Sequence, residues 1–132
     1  MKFIKSHGGR EQYFPIKYKK DRTNDCVIRS IAIATGISYL EVRDDLFEIA
    51  KTQGRMPNDK AVYEYYLEIL GWVKKSPMKK HNGKRFKLWE IEIDTAIFKT
   101  SGHLCAIKNG DLHDTWDCRK WAAQSYYIKE EN

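Results

Sequence analysis

Long apolar runs are missing from this sequence. No apolar stretch approaches the about 20 residues that a membrane-spanning helix needs, and no apolar export segment follows the opening Met1–Lys5. The composition therefore argues against membrane insertion and against export. We expect a cytoplasmic protein with no membrane partner.

Cysteine is also scarce, and its count does not suit a set of disulfides. Cys26, Cys105 and Cys118 are an odd number of cysteines at scattered positions. Small exported domains that depend on disulfides carry a dense and even cysteine pattern. All three side chains are therefore predicted to be thiols in a reducing compartment.

Signs of disorder and of internal repeats are absent as well. Charged residues make up 32% of the 132 positions, but they are interspersed with hydrophobic residues, which reach 42%. That hydrophobic content is enough for one core and too little for two. We expect a single domain over residues 1–132.

The sequence does carry an excess of basic charge. The net charge is +6, with basic clusters at Lys17–Arg22 and Lys74–Lys87. Such clusters can attract nucleic acid or an acidic protein. Because helix-turn-helix spacing, zinc-finger spacing and regularly placed stacking aromatics are lacking, we expect only weak, non-specific nucleic-acid contact, or contact with an acidic partner.

Helices are predicted for the first half of the chain. Cys26–Thr35 is apolar at nearly every position and is followed by a glycine, which is typical of a short buried helix. A capping box at Ser38–Glu41 begins a second helix, and helical spacing extends it to about Lys51. Asn58 is the predicted N-cap of a third helix, which ends before Gly71.

Short strands are predicted for most of the second half. Asn109-Gly110 is a strong two-residue turn signal, so the flanking segments are expected to form a hairpin with Lys108 opposite Asp111. Leu88–Ile93 fits either a helical turn or a strand. The predicted strands are Phe3–Ile4, Ala96–Lys99, His103–Lys108, Asp111–Trp116 and Gln124–Lys129.

Cys26 lies where a thiol becomes reactive. The positive end of the helix dipole and the unpaired N–H groups of a first helical turn stabilise a thiolate. Asn24 and Asp25 can cap this helix, and the Asn24 amide can turn toward an oxyanion beside the Cys26 N–H. The alternative is that Cys26 is a small buried apolar residue, as many free cysteines are.

A histidine and an acid downstream favour the reactive interpretation. His103 opens a predicted strand, and Asp114 lies on the partner strand of the hairpin. The hairpin register sets His113 and Asp114 across from Ala106 and Cys105. The alternative for His103 is a core histidine satisfied by one hydrogen bond, and His113 is assigned to that class.

Three segments of the sequence resemble papain-fold proteins. They are Asn24–Arg29 with its helix-initial cysteine, Gly102–Gly110 with its strand-initial histidine, and Leu112–Asp117 with its acid. This order is similar to that of papain-like peptidases, bacteriocin-leader peptidases and small papain-fold proteins of bacteria and their phages. The resemblance implies an α+β fold, with N-terminal helices packed on a C-terminal antiparallel sheet.

The resemblance also implies roles for individual residues. Cys26 would be the nucleophile, His103 the general base, and Asp114 the group that orients the imidazole. Asp117 is the reserve candidate for the acid. Trp116 would shield the histidine and its acid from water.

The sequence departs from the papain pattern at one position. Papain-like enzymes carry a glutamine for the oxyanion hole several residues before the cysteine, and Lys20 stands there in this sequence. Asn24, or Gln12 from farther back, must then take that place.

The function implied by the resemblance is that of a cysteine hydrolase. It would act on a peptide or isopeptide-type carbonyl of a peptide or protein substrate through a thioester, without a cofactor. It would do so in the cytoplasm of a bacterial host if the protein is phage-encoded. The alternative is a catalytically inactive papain-fold binding module, such as a phage-encoded inhibitor of a host system or a nucleic-acid-associated protein.

A zinc site is a further alternative. His103, Cys105, His113 and Cys118 offer nitrogen and sulfur ligands. Their spacing lacks a paired Cys-x-x-Cys knuckle, and a zinc site would leave Cys26 unexplained. We therefore expect no metal.

Overall fold

The computed structural model describes residues 1–14 and 24–130, and these form an α+β fold of three helices and one six-stranded mixed sheet. Two short 3-10 helices, at Arg10–Gln12 and Leu88–Glu90, lie between the longer elements. The basic cluster at Lys17–Arg22 lies outside the described residues. The elements are α1 (Cys26–Thr35), α2 (Tyr39–Gln53), α3 (Lys60–Ile69), β1 (Phe3–Lys5), β2 (Trp72–Lys75), β3 (Ala96–Thr100), β4 (His103–Lys108), β5 (Asp111–Asp114) and β6 (Tyr126–Lys129).

The strands lie in the order β1-β5-β4-β3-β6-β2. Every neighbouring pair is antiparallel except β1 and β5, which run parallel with Ile4 opposite His113. The expectation of an antiparallel sheet is therefore wrong at this edge. Parallel strands need a long connection, and the connection here takes in most of the chain, so no local sequence pattern announces the pairing.

The helix boundaries follow the capping signals closely. α1 covers the predicted Cys26–Thr35 and ends at Gly36, which has the left-handed φ of 79° that favours glycine. The Ser38 hydroxyl accepts a hydrogen bond from the Glu41 N–H at the start of α2, which runs to Gln53. α3 has Asp59 as its N-cap, one residue after the predicted Asn58.

The strand predictions are confirmed in position and corrected at their ends. Lys108 lies opposite Asp111 in the β4–β5 hairpin, as the Asn-Gly turn requires. β5 ends at Asp114 rather than Trp116, and β6 begins at Tyr126 rather than Gln124. The ambiguous segment is a 3-10 helix at Leu88–Glu90. β2 was not predicted.

The core has a layer on each face of the sheet. Leu104 and Ala106 of β4 pack in the cluster that contains Ile31 of α1. Cys105 and Ile107 alternate into a second cluster, as the two-residue period of a strand requires. Among the residues described, no helix has the length and apolar character to span a bilayer. Because α1 packs chiefly against β4, its first residue lies close to the first residue of that strand.

Candidate active site

Cys26 is the first residue of α1, and its thiol is only partly buried. The thiol contacts the His103 imidazole and accepts a hydrogen bond from the Leu104 backbone N–H. Burial alone raises the pKa of Cys26, but these two hydrogen bonds, with smaller contributions from the charges of His103 and Arg29, hold it below its usual value. The site therefore stabilises a thiolate.

His103 and Asp114 form a short ionic contact in the site. His103 Nε2 lies 2.6 Å from Asp114 Oδ2, and the two side chains are 11% and 3% exposed. Burial lowers the pKa of His103, but hydrogen bonds with Asp114, Cys118 and Cys26 raise it to about 11. The imidazole is thus held as an imidazolium beside the Cys26 thiolate.

Four groups hold the Asp114 carboxylate. Besides His103, Arg29 Nη2 donates to its Oδ1 at 3.3 Å, and the Thr115 backbone N–H donates to the same atom at 2.7 Å. The Cys118 thiol donates to Oδ2 at 3.7 Å. A buried carboxylate with this many donors keeps one orientation, and that orientation presents Oδ2 to His103.

The Trp116 ring lies beside the histidine, tilted by 43° to the imidazole, where a shield against water would lie. The Trp116 and His103 ring centroids are 4.9 Å apart, and Trp121 packs edge-on against Trp116 at 5.1 Å. Asp117, the reserve acid, is instead exposed and pairs with Arg119 at 2.8 Å. The structure thus brings Asp114 to His103 and leaves Asp117 away from it.

The predicted oxyanion residues are not brought to the thiol. Asn24 is exposed, with a positive φ of 50°, and the N-cap of α1 is Asp25, whose side chain makes no capping hydrogen bond. Gln12 is exposed in the first 3-10 helix. Within residues 1–14 and 24–130, neither amide side chain makes a hydrogen bond. Lys20 lies outside the described residues.

The three thiols differ in their access to solvent. Cys105 and Cys118 are 1% and 0% exposed, and only Cys26 is partly open. A hydrogen bond from Cys105 lowers the pKa of Cys118, against the effect of burial, to about 7, while the same contact and burial raise the pKa of Cys105. Cys118 is therefore an ionisable thiol that an external electrophile cannot easily reach.

A metal ion does not suit the arrangement of these groups. Ligand atoms of His103, Asp114 and Cys118 lie within 4.8 Å of one another. Two ligands of one tetrahedral zinc would lie about 3.3 Å apart, whereas the His103 and Asp114 atoms are 2.6 Å apart. His113, from the predicted zinc set, is within hydrogen-bond distance of the Lys108 carbonyl at 3.2 Å. The cluster is a hydrogen-bonded one.

Sequence reasoning missed Arg29 and gave Cys118 only a metal role. Arg29 is the only charged residue in α1, yet it is buried. A lone charge within an apolar helix signals a buried partner, because an unpaired buried charge is very unfavourable. That signal was present in the sequence. The contact of Cys118 with His103 was not readable, because it depends on the path of the loop after β5.

Comparison of the chain with protein-family models, curated proteins and solved structures gives no match. The functional interpretation therefore depends on the geometry of the site itself.

Proposed function

We propose that this protein is a papain-like cysteine hydrolase in which Cys26 is the nucleophile, His103 the acid and base, and Asp114 the group that orients His103. The observation that carries the proposal is the continuous contact from a helix-initial thiol through an imidazole to a buried carboxylate. Nucleophile, base and orienting acid in that sequence are the elements of nucleophilic catalysis by cysteine.

The first half of the reaction forms a thioester. The Cys26 thiolate attacks the carbonyl carbon of a peptide or isopeptide bond, and the carbonyl electron pair moves onto oxygen. When the carbon–nitrogen bond breaks, the His103 imidazolium gives its proton to the leaving amine. The acyl group is then bound to Cys26, and His103 is neutral.

The second half releases the acid. Neutral His103 takes a proton from water as its oxygen attacks the thioester carbon, and the carbon–sulfur bond breaks to return the Cys26 thiolate. Asp114 keeps the imidazole in place and stabilises its charged form in both halves. Proton, thiolate and imidazolium are all restored.

The start of α1 supplies donors for the oxyanion. The first hydrogen bond of the helix runs from Arg29 N–H to the Asp25 carbonyl, so the Cys26 N–H has no acceptor within the helix. A backbone donor and the positive end of the helix dipole, both beside the attacked carbonyl, stabilise negative charge on its oxygen. This role does not require the Asn24 amide.

The substrate is a peptide or protein, since an acyl group on nitrogen is the carbonyl that this chemistry attacks. The site and its order of residues along the chain support a papain-like arrangement, and the resemblance to bacterial and phage proteins favours a function in a bacterial cytoplasm. No contact seen among the described residues favours the alternative of an inactive binding module.

Peptide-library hydrolysis tests this proposal. A library of quenched fluorescent peptides, together with isopeptide-linked pairs, is incubated with the wild type and with Cys26→Ala. We expect cleavage by the wild type, none by Cys26→Ala, and a thioester on Cys26 detectable by mass spectrometry after acid quenching. Asp117→Asn, which changes an exposed acid that does not contact His103, is the matched control and should retain cleavage. Equal cleavage by wild type and Cys26→Ala would refute the assignment of Cys26 as the nucleophile.

A further inference from the structure

Arg29 is a buried charge in the centre of the molecule. Its side chain is 6% exposed, and all its neighbours in α1 are uncharged. Removing an ion from water costs several kcal/mol, which is offset only by well-placed partners. Arg29 therefore needs opposite charge within the core.

Two carboxylates supply that charge from distant parts of the chain. Arg29 Nη1 pairs with Oδ1 of Asp25, the residue that precedes Cys26. Arg29 Nη2 pairs with Oδ1 of Asp114 at 3.3 Å, across 85 positions of sequence. One planar guanidinium thus connects the start of the nucleophile helix to the acid that holds His103.

The far side of this contact is fixed too. Asp25 Oδ2 accepts hydrogen bonds from the Tyr39 hydroxyl at 2.6 Å and from Arg10 Nη1 at 3.2 Å. Gly8 packs closely against the Arg29 backbone: a Cβ added to Gly8 would lie 3.0 Å from the Arg29 Cα. Arg29 is therefore held from both sides and cannot shift without moving the site.

The charges of these groups balance in a way that suits the chemistry. Asp25 and Asp114 carry two negative charges, and Arg29 and Arg10 carry two positive charges. The thiolate of Cys26 and the imidazolium then add no net charge to the buried cluster. Loss of Arg29 would remove one positive charge from beside the Asp25 and Asp114 carboxylates and the Cys26 thiolate.

We propose that Arg29 is a positioning residue that holds Asp114 against His103 and holds the start of the Cys26 helix in place. By occupying Oδ1 it leaves Oδ2 for the histidine, and through Asp25 it fixes the start of α1. This inference rests on the proposed function, because it assigns Arg29 a task in the same site.

The electrostatic surroundings of Cys26 agree with this role. After burial and the two hydrogen bonds, the positive charge of Arg29 is a further cause that lowers the pKa of Cys26. The thiolate has several other neighbours that titrate or carry charge. Within the described part of the chain, the groups facing the Cys26–His103 pair are Asp25 and Arg29 at α1, Tyr63 on α3, Cys105 on β4, Asp114 on β5 and Cys118 after it.

The test measures how alkylation of Cys26 by iodoacetamide depends on pH, with the modified residue identified by mass spectrometry. We expect Arg29→Gln to move the midpoint of the rate upward by about one pH unit, which makes the reaction about tenfold slower at pH values below both midpoints. Arg29→Lys keeps the charge and should move the midpoint by less. Arg55→Gln, which removes an exposed arginine, should leave it unchanged.

A purely structural Arg29 would not move this midpoint. Circular dichroism and thermal unfolding establish whether each variant is folded under the assay conditions. If Arg29→Gln is not folded, the test uses Arg29→Lys alone. An unchanged midpoint in Arg29→Gln would overturn the inference. If Arg29→Gln does not fold, an unchanged midpoint together with unchanged hydrolysis in Arg29→Lys would overturn it. A wild-type midpoint at the usual thiol value of about 8.5 would instead refute the proposed function.

Discussion

At the scale of single residues, the ionisation of Cys26 depends on His103. The thiol is mostly enclosed, and enclosure by itself raises its pKa. The imidazole lowers that pKa and is itself kept protonated by Asp114, to a pKa of about 11. The thiolate therefore forms below the usual thiol range, and the thiolate–imidazolium pair persists up to the pH at which the imidazolium deprotonates.

Removal of the imidazole should move the titration of Cys26 upward. In His103→Ala we expect the midpoint of iodoacetamide alkylation to rise from below about 8.5 to above it, because only the Leu104 hydrogen bond and the charge of Arg29 then oppose the effect of burial. The rate near pH 7 should fall at least about tenfold. His113→Ala is the matched control, since that ring contacts the Lys108 carbonyl. Equal effects of the two substitutions would contradict the role of His103.

Asp114 should matter for both stability and hydrolysis. Asp114→Asn leaves Arg29 with less buried negative charge, so we expect the free energy of unfolding to fall by about 3 kcal/mol. Hydrolysis should fall at least about tenfold, because the imidazole loses its charged partner. Urea unfolding and peptide cleavage measure the two effects.

Asp117→Asn is the control for that substitution. Asp117 is exposed and pairs with Arg119, so its removal should change the unfolding free energy by less than about 0.5 kcal/mol. If Asp117→Asn reduced hydrolysis as strongly as Asp114→Asn, the acid would be wrongly assigned.

Single residues of the site could be predicted where a reactive side chain coincides with a local sequence signal for a helix start or a turn. The approach of Cys26, His103 and Asp114 could be predicted because capping and turn signals locate the helix start and the tight hairpin in the sequence. Their contacts with Arg29 and Cys118 join segments that no local pattern connects. The oxyanion role of Asn24 stays a prediction, because side-chain direction before the helix depends on the path of the loop.

At the scale of elements, the site depends on the packing of α1 against β4. Ile31 is fully buried in the cluster that includes Leu104 and Ala106. We expect Ile31→Ala to lower the free energy of unfolding by about 2–5 kcal/mol, since it removes buried methyl groups and leaves a cavity. Chemical denaturation checks this value.

The matched control lies on α3. Ile69 is 60% exposed, so Ile69→Ala should change the unfolding free energy by less than about 0.5 kcal/mol. Comparable losses from the two substitutions would show that α1 does not contribute the expected packing.

Elements with local signals were predicted well, and elements defined by distant partners were not. The capping residue Ser38 and the Asn109-Gly110 turn act within a few positions of the chain, so α2 and the β4–β5 hairpin were found. β2 is a strand because it pairs with β6, and its own sequence combines an apolar start with lysines. The pairing of β1 with β5 was not predicted either, because it also depends on a strand that is distant in sequence.

At the scale of the whole molecule, the basic surface is less concentrated than the sequence suggested. Of the described cluster, Lys80 pairs with Glu90 at 2.6 Å and Lys74 with Glu64 at 3.1 Å. Such pairing reduces the charge available to a phosphate backbone. We therefore expect the described basic cluster, Lys74–Lys87, to attract nucleic acid only weakly.

We expect weak and non-specific binding to nucleic acid. Titration of unrelated DNA and RNA, both duplex and single-stranded, should show weak association that fades as salt rises, because only counterion release drives it. Substitution of Lys79 and Lys84 by glutamine should reduce what binding there is. Tight, sequence-dependent binding that survives Cys26→Ala would refute the hydrolase and favour a binding module.

The pairing of Arg29 with Asp114 has a further consequence for the timing of activity. These residues are 85 positions apart, and contacts so distant in sequence form only after a long loop has closed. At about 5–20 residues per second, a ribosome needs about 4–17 s to synthesise that span. Throughout that interval the nascent chain carries Cys26 without Asp114, so the thiol lacks the complete set of groups around it until β5 has joined the sheet.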